Sequence, residues 1–288
     1  MATDPEFDDL GRNLPAGARH YRAFVGPSTT YDVVGALQFS LLVALGLREH
    51  HTLLDIGCGS LRGGKLFIPY LLPGHYYGIE PEHWLVEEGI SKEIGHDLVR
   101  LKRPTFSHEP SFTLSAFGRQ FDFILAQSIF SHTSKAQIHR CLEEAQKVMA
   151  PSSLFVANYA IGEQDYEGNE WVYPGGVTFT PESMRRFGAE HGLKTLPIYW
   201  PHPHGLSWIV FVRPGNESAV DALAQQPVQL QQALTMYRRR LAEVEGHPYV
   251  KIGMWIRRTV RKWLTRSDGV VPPPANTGES MDHWNWKK

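Results

Sequence analysis

The sequence has few cysteines and no long uncharged apolar run. Its 288 residues include two cysteines, Cys58 and Cys141, which are too few for a disulfide framework or a four-cysteine zinc site. No stretch approaches the roughly 18 to 20 apolar residues that span a bilayer. Residues 1–9 carry four acidic residues and no apolar core, so we expect no secretory signal there. These features predict a protein of the reducing cytoplasm.

The charge balance gives no sign of a nucleic-acid partner. Lys and Arg number 29 against 30 Asp and Glu, for a formal net charge of -1, whereas a nucleic-acid-binding surface requires a basic surplus. The 42% share of hydrophobic residues is typical of a globular protein with a buried core. No repeat of fixed period suggests a solenoid or a propeller.

Apolar runs and helical periodicity alternate along the chain after Tyr31. Strands are predicted at 52–56, 76–79, 105–108, 121–126 and 154–161, with helices at 31–47, 61–72, 84–94, 135–149 and 181–192. Two last strands, 196–200 and 206–212, form an antiparallel hairpin around a short turn. The predicted fold class is therefore α/β: a seven-stranded, mostly parallel sheet with a terminal antiparallel hairpin and helices on both faces.

Changes in this pattern divide the chain into four predicted segments. They are an N-terminal arm at 1–30, the α/β domain at 31–213, a C-terminal helical extension at 214–266 and a disordered tail at 267–288. Within the extension, 250–264 predicts a basic amphipathic helix. It could lie on an anionic membrane surface, which would make the protein membrane-peripheral, or dock on the catalytic domain or a partner subunit. The sequence does not predict an oligomeric state.

A glycine turn after the first strand carries the clearest chemical signal. Gly57 and Gly59 allow the backbone to approach a ligand closely, and Glu80 at the end of the second strand could bind both hydroxyls of a ribose. A dinucleotide-binding turn has a third glycine where this chain has Arg62, which disfavours a nicotinamide or flavin cofactor. An acid two residues before the first glycine, as Asp55 is, suits a ligand with a cationic amino-acid end.

Three segments together resemble the class I S-adenosylmethionine-dependent methyltransferases. Residues 53–60 look like the first motif of that family, 78–81 like its ribose-binding strand end and 121–128 like its fourth strand. With Arg62-Gly63-Gly64, Trp84 and Ser131-His132, the chain is similar to a bacterial subgroup associated with modification of saccharides or secondary metabolites. The resemblance covers about 31–213 and implies a Rossmann-like fold and S-adenosylmethionine as cofactor.

The resemblance also implies roles for individual residues. It gives Asp55, Gly57 and Gly59 to the methionine end of the cofactor and Glu80 to the ribose. Gln127 and Ser128 would form the floor of the active site. For the adenine ring the candidates are Pro81, Trp84 and Phe112.

Three histidines are candidates for the base that a hydroxyl acceptor would need. His132 follows the fourth strand by a few residues, and His202 and His204 lie in the turn of the terminal hairpin, which we expect at the same end of the sheet. Each could instead be a solvated loop histidine. Two histidines without a readable third ligand do not predict a metal site.

The connection at 162–180 is long for an α/β fold and predicts a lid or binding loop. Its aromatic and acidic side chains suit a saccharide or another polyhydroxylated small molecule, although the aromatics could simply pack the crossover. The substrate-binding candidates are Asp165, Tyr166, Trp171 and Tyr173.

The sequence thus predicts an enzyme that methylates oxygen on a saccharide or natural-product small molecule. An N- or C-methyltransferase is the alternative. A nicotinamide-dependent oxidoreductase and a non-catalytic scaffold are less favoured, because Arg62 replaces the third glycine and because Asp55, Glu80 and a candidate base are all retained.

Overall fold

The structure is a computed structural model that describes residues 10–224. The predicted amphipathic helix at 250–264 and the tail at 267–288 lie outside the described residues, as does most of the predicted extension. The start of that extension is described, and there Val220 and Leu223 are buried against the sheet.

A mixed sheet forms the centre of the fold. Its strands are β1 (Leu53–Ile56), β2 (Tyr76–Ile79), β3 (Thr105–Ser107), β4 (Phe121–Ala126), β5 (Met149–Ile161), β6 (Thr178–Phe179), β7 (Lys194–Ile198) and β8 (Ser207–Val212). Seven of them follow the order β3-β2-β1-β4-β5-β8-β7, and β6 pairs only with β5. Strand β8 is antiparallel to both of its neighbours. The pairs β1–β2, β1–β4 and β4–β5 are parallel. The predicted α/β sheet with a terminal antiparallel hairpin is confirmed.

Helices surround this sheet. They are α1 (Tyr31–Ala44), α2 (Gly64–Tyr70), α3 (His83–Gly89), α4 (His96–Lys102), α5 (Lys135–Val148), α6 (Pro181–Glu190) and α7 (Asp221–Ala224). Helix α4 was not predicted, because it has only seven residues and none of them is fully buried. A π-helical turn, Ile90–Ile94, separates it from α3. Among the helices of residues 10–224, none is long and apolar enough to cross a membrane.

Alternation along β1 directs its side chains into two cores. Leu54 and Ile56 pack on the face covered by α5, whereas Leu53 packs on the face covered by α1 and α2. Both faces of the strand are therefore buried, as expected for a parallel strand covered on both sides.

The strand order reverses beside β1, which places β2 on one side and β4 on the other. The loops that follow these three strands meet at one edge of the sheet, which is where open α/β sheets bind ligands. A capping box begins α5 just after the loop of β4: Ser134 N–H donates to Gln137 Oε1 at 2.9 Å, and Ser134 Oγ accepts from Gln137 N–H. The loop of β4 is thereby held at the edge.

Candidate active site

A cavity of about 400 Å³ opens at the carboxyl ends of β1, β2 and β4. Its volume lies within the usual range for small-molecule sites. Ten of the sixteen residues predicted for the site line it: Gly57, Gly59, Glu80, Pro81, Phe112, Gln127, Ser128, His132, Trp171 and Tyr173. The structure thus brings the glycine turn, the strand-end acid, one candidate base and two loop aromatics together.

The glycine turn is shaped so that a side chain would not fit. Gly57 has a φ of +68°, and a Cβ there would lie 2.2 Å from Cδ1 of Ile129. Gly59 has a φ of +55°, and a Cβ there would lie 2.7 Å from Cγ1 of Val25. Since L-residues rarely adopt this left-handed region, the backbone favours glycine at both positions, and a Cβ would displace the side chain of Ile129 or Val25.

Glu80 presents a buried carboxylate to the cavity and is 8% exposed. Its Oε2 accepts from Gly59 N–H and its Oε1 from Glu82 N–H, each at 2.9 Å. Burial raises the pKa of this carboxyl above its usual value, although the two backbone hydrogen bonds oppose that shift. A carboxylate oxygen can accept two hydrogen bonds, and each oxygen of Glu80 accepts one here. Both oxygens therefore retain an acceptor site for a ligand hydroxyl.

His132 has its ring nitrogens in two distinct environments. Nδ1 lies 2.9 Å from the carbonyl oxygen of Val172 and 2.7 Å from that of Gly175. Because a carbonyl only accepts, Nδ1 carries the proton and Nε2 keeps its lone pair. Burial lowers the pKa of His132, against the effect of the two carbonyls. The imidazole is therefore neutral near pH 7, with Nε2 as a proton acceptor.

Arg62 and Gln127 form a buried polar contact on the cavity wall. The Arg62 guanidinium donates through Nη2 to Oε1 of Gln127 and through Nη1 to the carbonyl of Val25, at 2.8 Å for the latter. This fixes the orientation of the amide, so that Gln127 Nε2 donates to Ser128 Oγ at 2.6 Å and faces His202 Nε2 at 3.1 Å. The arginine therefore joins the N-terminal arm to the loop of β4.

Comparison with known proteins agrees with this geometry. Residues 54–155, about a third of the chain, match the family model of the methyltransferase domain. The matched segment runs from β1 into β5 and contains the glycine turn, Glu80, Gln127 and His132. This segment is similar to a methyltransferase domain.

Two solved structures are also similar to the chain. The chain is similar to magnesium protoporphyrin IX methyltransferase from Synechocystis PCC 6803, at 14% identity over 73% of this chain and 92% of that one, with a TM-score of 0.50. It is also similar to the glycopeptide N-methyltransferase MtfA, at 12% identity over 62% and 94%, with a TM-score of 0.48. At such identities the likeness to the first structure shows the fold alone. No curated protein matches the sequence.

Asp55 does not reach the cavity, although it follows the first-motif pattern. It is 3% exposed, and its Oδ2 accepts from the hydroxyl of Tyr76 at 2.8 Å. Burial raises the pKa of Asp55 to about 7, and the Tyr76 hydrogen bond and Arg62 only partly offset this effect. The reason for its placement is strand alternation, since Asp55 lies on the opposite face of β1 from Ile56, which lines the cavity.

Neither of the two hairpin histidines lines the cavity. His202 contacts Gln127, and His204 Nε2 lies 3.1 Å from Oγ1 of Thr30. Burial, followed by the charges of His204 and Arg62, lowers the pKa of His202 to about 4. Both ring nitrogens of His202 face N–H groups, from Gln127 and from the backbone of His204, which also disfavours its protonated form. His202 supports Gln127, and the structure does not bring it to the cavity.

Three further predicted residues have structural partners elsewhere. Trp84 lies outside the cavity with its ring 5.2 Å from that of Phe24. Asp165 accepts from Ser183 Oγ at 2.6 Å and from Thr180 N–H at 2.9 Å, so it stabilises the start of α6. Tyr166 packs partly buried against the core.

The N-terminal arm supplies cavity residues that sequence reasoning missed. Phe24 and Val25 line the cavity, and the Phe24 ring lies 5.6 Å from that of Tyr173. Arg22 anchors this part of the arm through an ion pair of 2.5 Å with Glu93. No local pattern marks Phe24 as a ligand contact, because its neighbours in space are distant in sequence.

Proposed function

We propose that the protein transfers a methyl group from S-adenosylmethionine to a hydroxyl oxygen of a saccharide or another ring-shaped small molecule. The observation that carries this proposal is the His132 ring, which lines the cavity and has its Nδ1 held by two carbonyls, so that Nε2 keeps its lone pair. Oxygen acceptors lose a proton on methylation, and a neutral imidazole is suited to take it.

The cavity has the groups that such a cofactor requires. Glu80 retains acceptor sites for the two ribose hydroxyls, and Gly57 and Gly59 leave room for close backbone approach. Ile79, Phe112 and other apolar side chains suit the faces of an adenine ring. The lining therefore fits an adenosine with an amino-acid tail.

When bound, S-adenosylmethionine supplies a methyl group on its sulfonium sulfur, and the methyl carbon would leave sulfur as it bonds to the acceptor oxygen. His132 Nε2 takes the acceptor proton, and the proton leaves to solvent afterwards. The loop containing Val172 and Gly175 holds the base in the required tautomer. Alignment of donor and acceptor supplies the rest of the rate enhancement.

The acceptor side of the cavity is aromatic. Trp171 and Tyr173 have ring centroids 5.6 and 5.1 Å from that of His132, and Trp171 is 42% exposed. Aromatic faces bind the CH faces of sugar rings and flat rings of natural products. Trp171 is also accessible to a ligand. The aromatic rings of Trp171 and Tyr173 beside His132 therefore support a ring-shaped acceptor.

The test is transfer of an isotope-labelled methyl group from S-adenosylmethionine to matched acceptor sets. Each set should pair a hydroxylated sugar or phenol with the amine of the same skeleton. We expect labelled methyl ethers from the hydroxylated members, with cleavage chemistry or NMR identifying an O–CH₃ bond. Methylation confined to the amines would contradict oxygen transfer while leaving the methyltransferase activity intact.

A further inference from the structure

Arg62 is a buried cation that the proposed reaction does not yet use. Its side chain is 9% exposed and lines the cavity, and the two residues that its guanidinium contacts, Val25 and Gln127, line it as well. Both of those contacts are to neutral oxygens. Arginine is seldom buried to this extent without an anionic partner.

Within residues 10–224, no carboxylate forms an ion pair with Arg62. Asp55 lies nearby, but its carboxyl is bonded to Tyr76 and burial raises its pKa. Glu80 is hydrogen-bonded to the backbone of Gly59 and Glu82. The guanidinium therefore lines a ligand cavity without an ion-pair partner among these residues.

The remaining donors of Arg62 suit a planar anion. A guanidinium has five N–H groups in a fixed fork. Val25 and Gln127 each accept one, so three N–H groups remain. Two parallel N–H groups match the two oxygens of a carboxylate.

We infer that Arg62 binds a ligand carboxylate, and we assign that carboxylate to the amino-acid end of S-adenosylmethionine. The assignment rests on the proposed function. Arg62 follows Gly59 by three residues in the same turn after β1, whereas Glu80 ends the neighbouring strand β2. A cofactor with its ribose at Glu80 would pass over the glycines and present its carboxylate to Arg62.

Two ligands that differ in the amino-acid tail test this inference. S-adenosylhomocysteine carries the tail, and 5′-methylthioadenosine lacks it. In calorimetric titrations, Arg62→Met should weaken S-adenosylhomocysteine about 10- to 100-fold, because a charge-assisted pair is removed. The affinity for 5′-methylthioadenosine should change less than about threefold. The exposed Arg100→Met on α4 is the matched control and should change neither.

Equal weakening of both ligands by Arg62→Met, or no weakening of S-adenosylhomocysteine, would overturn the inference. If the wild-type protein binds neither ligand, the proposed function fails together with it. Tight wild-type binding of S-adenosylhomocysteine with no selective effect at Arg62 removes only this assignment. The two failures are therefore distinguishable.

A second measurement needs no variant, in case Arg62→Met does not fold without its contacts to Val25 and Gln127. The wild-type protein is titrated with S-adenosylhomocysteine and with its decarboxylated analogue, which keeps the amine and lacks only the carboxylate. We expect the analogue to bind about tenfold more weakly or worse. Equal affinity would overturn the role of Arg62.

Discussion

Replacing His132 by alanine is expected to lower the turnover of methyl transfer to a hydroxylated acceptor by about 10²- to 10⁴-fold, the usual contribution of a general base. Nδ1 of His132 is committed to the carbonyls of Val172 and Gly175, so the variant removes the one imidazole nitrogen that is available to the acceptor. The affinity for S-adenosylhomocysteine should stay nearly unchanged, because alignment of the cofactor does not depend on this ring. Added imidazole should restore part of the activity.

The pH dependence of turnover gives a second readout of the same prediction. Burial lowers the pKa of His132 below its ordinary value of about 6.5. The neutral form is the active one, so wild-type turnover should reach its plateau at a lower pH than an ordinary imidazole would allow, and should fall as the pH decreases through the lowered pKa. The residual activity of His132→Ala should lack this acid limb.

His139→Gln on α5, outside the cavity, is the matched control and should retain normal turnover. Near-normal turnover of His132→Ala, with complete loss in His202→Ala, would instead assign the base to the hairpin turn. That result would contradict the present placement of His202 behind Gln127.

Replacing Gly57 by alanine is expected to weaken binding of S-adenosylhomocysteine by about 10- to 100-fold. The added Cβ would lie 2.2 Å from Cδ1 of Ile129, and both residues line the cavity. Such overpacking costs about 1 to 3 kcal/mol, and a side chain that moves aside takes space from the ligand. The measurement is a calorimetric titration, accompanied by thermal unfolding of the free protein.

Gly74→Ala separates backbone strain from loss of ligand space. Gly74 also has a positive φ, +79°, but a Cβ there would have no neighbour within 4 Å. Both variants should lose about 1 to 2 kcal/mol of stability from the left-handed backbone, whereas only Gly57→Ala should lose ligand affinity. Equal affinities in the two variants would show that the ligand does not lie over the glycine turn.

Much of the fold was predictable because local patterns determine it. The buried strands β1 and β4 are short apolar runs, and the antiparallel hairpin of β7 and β8 follows from a turn between two such runs. Helix α4 was missed because it has only seven residues and buries none of them fully. Periodicity detects burial, so an element without a buried face gives no such signal.

The cavity was predictable in part, for reasons that individual residues show. Gly57, Glu80 and His132 follow strand ends, and parallel strands bring their carboxyl ends to one edge. Asp55 follows the motif spacing, but the alternation of β1 directs it away from the cavity that Ile56 lines. Asp165 was treated as a substrate contact, whereas its carboxylate stabilises the start of α6. Phe24 was missed because its place in the cavity depends on contacts with residues that are distant in sequence, which no local pattern encodes.

Titration with S-adenosylhomocysteine and NAD tests the central claim most directly, because these ligands separate a methyltransferase site from a nicotinamide site on the same turn. The wild-type protein should bind S-adenosylhomocysteine and show no comparable affinity for NAD. Glu80→Ala should weaken S-adenosylhomocysteine by about 10- to 100-fold, since it removes charge-assisted hydrogen bonds to the ribose, whereas Glu87→Ala on the exposed face of α3 should not. Tighter binding of NAD, or an unchanged dissociation constant for Glu80→Ala, would contradict the account.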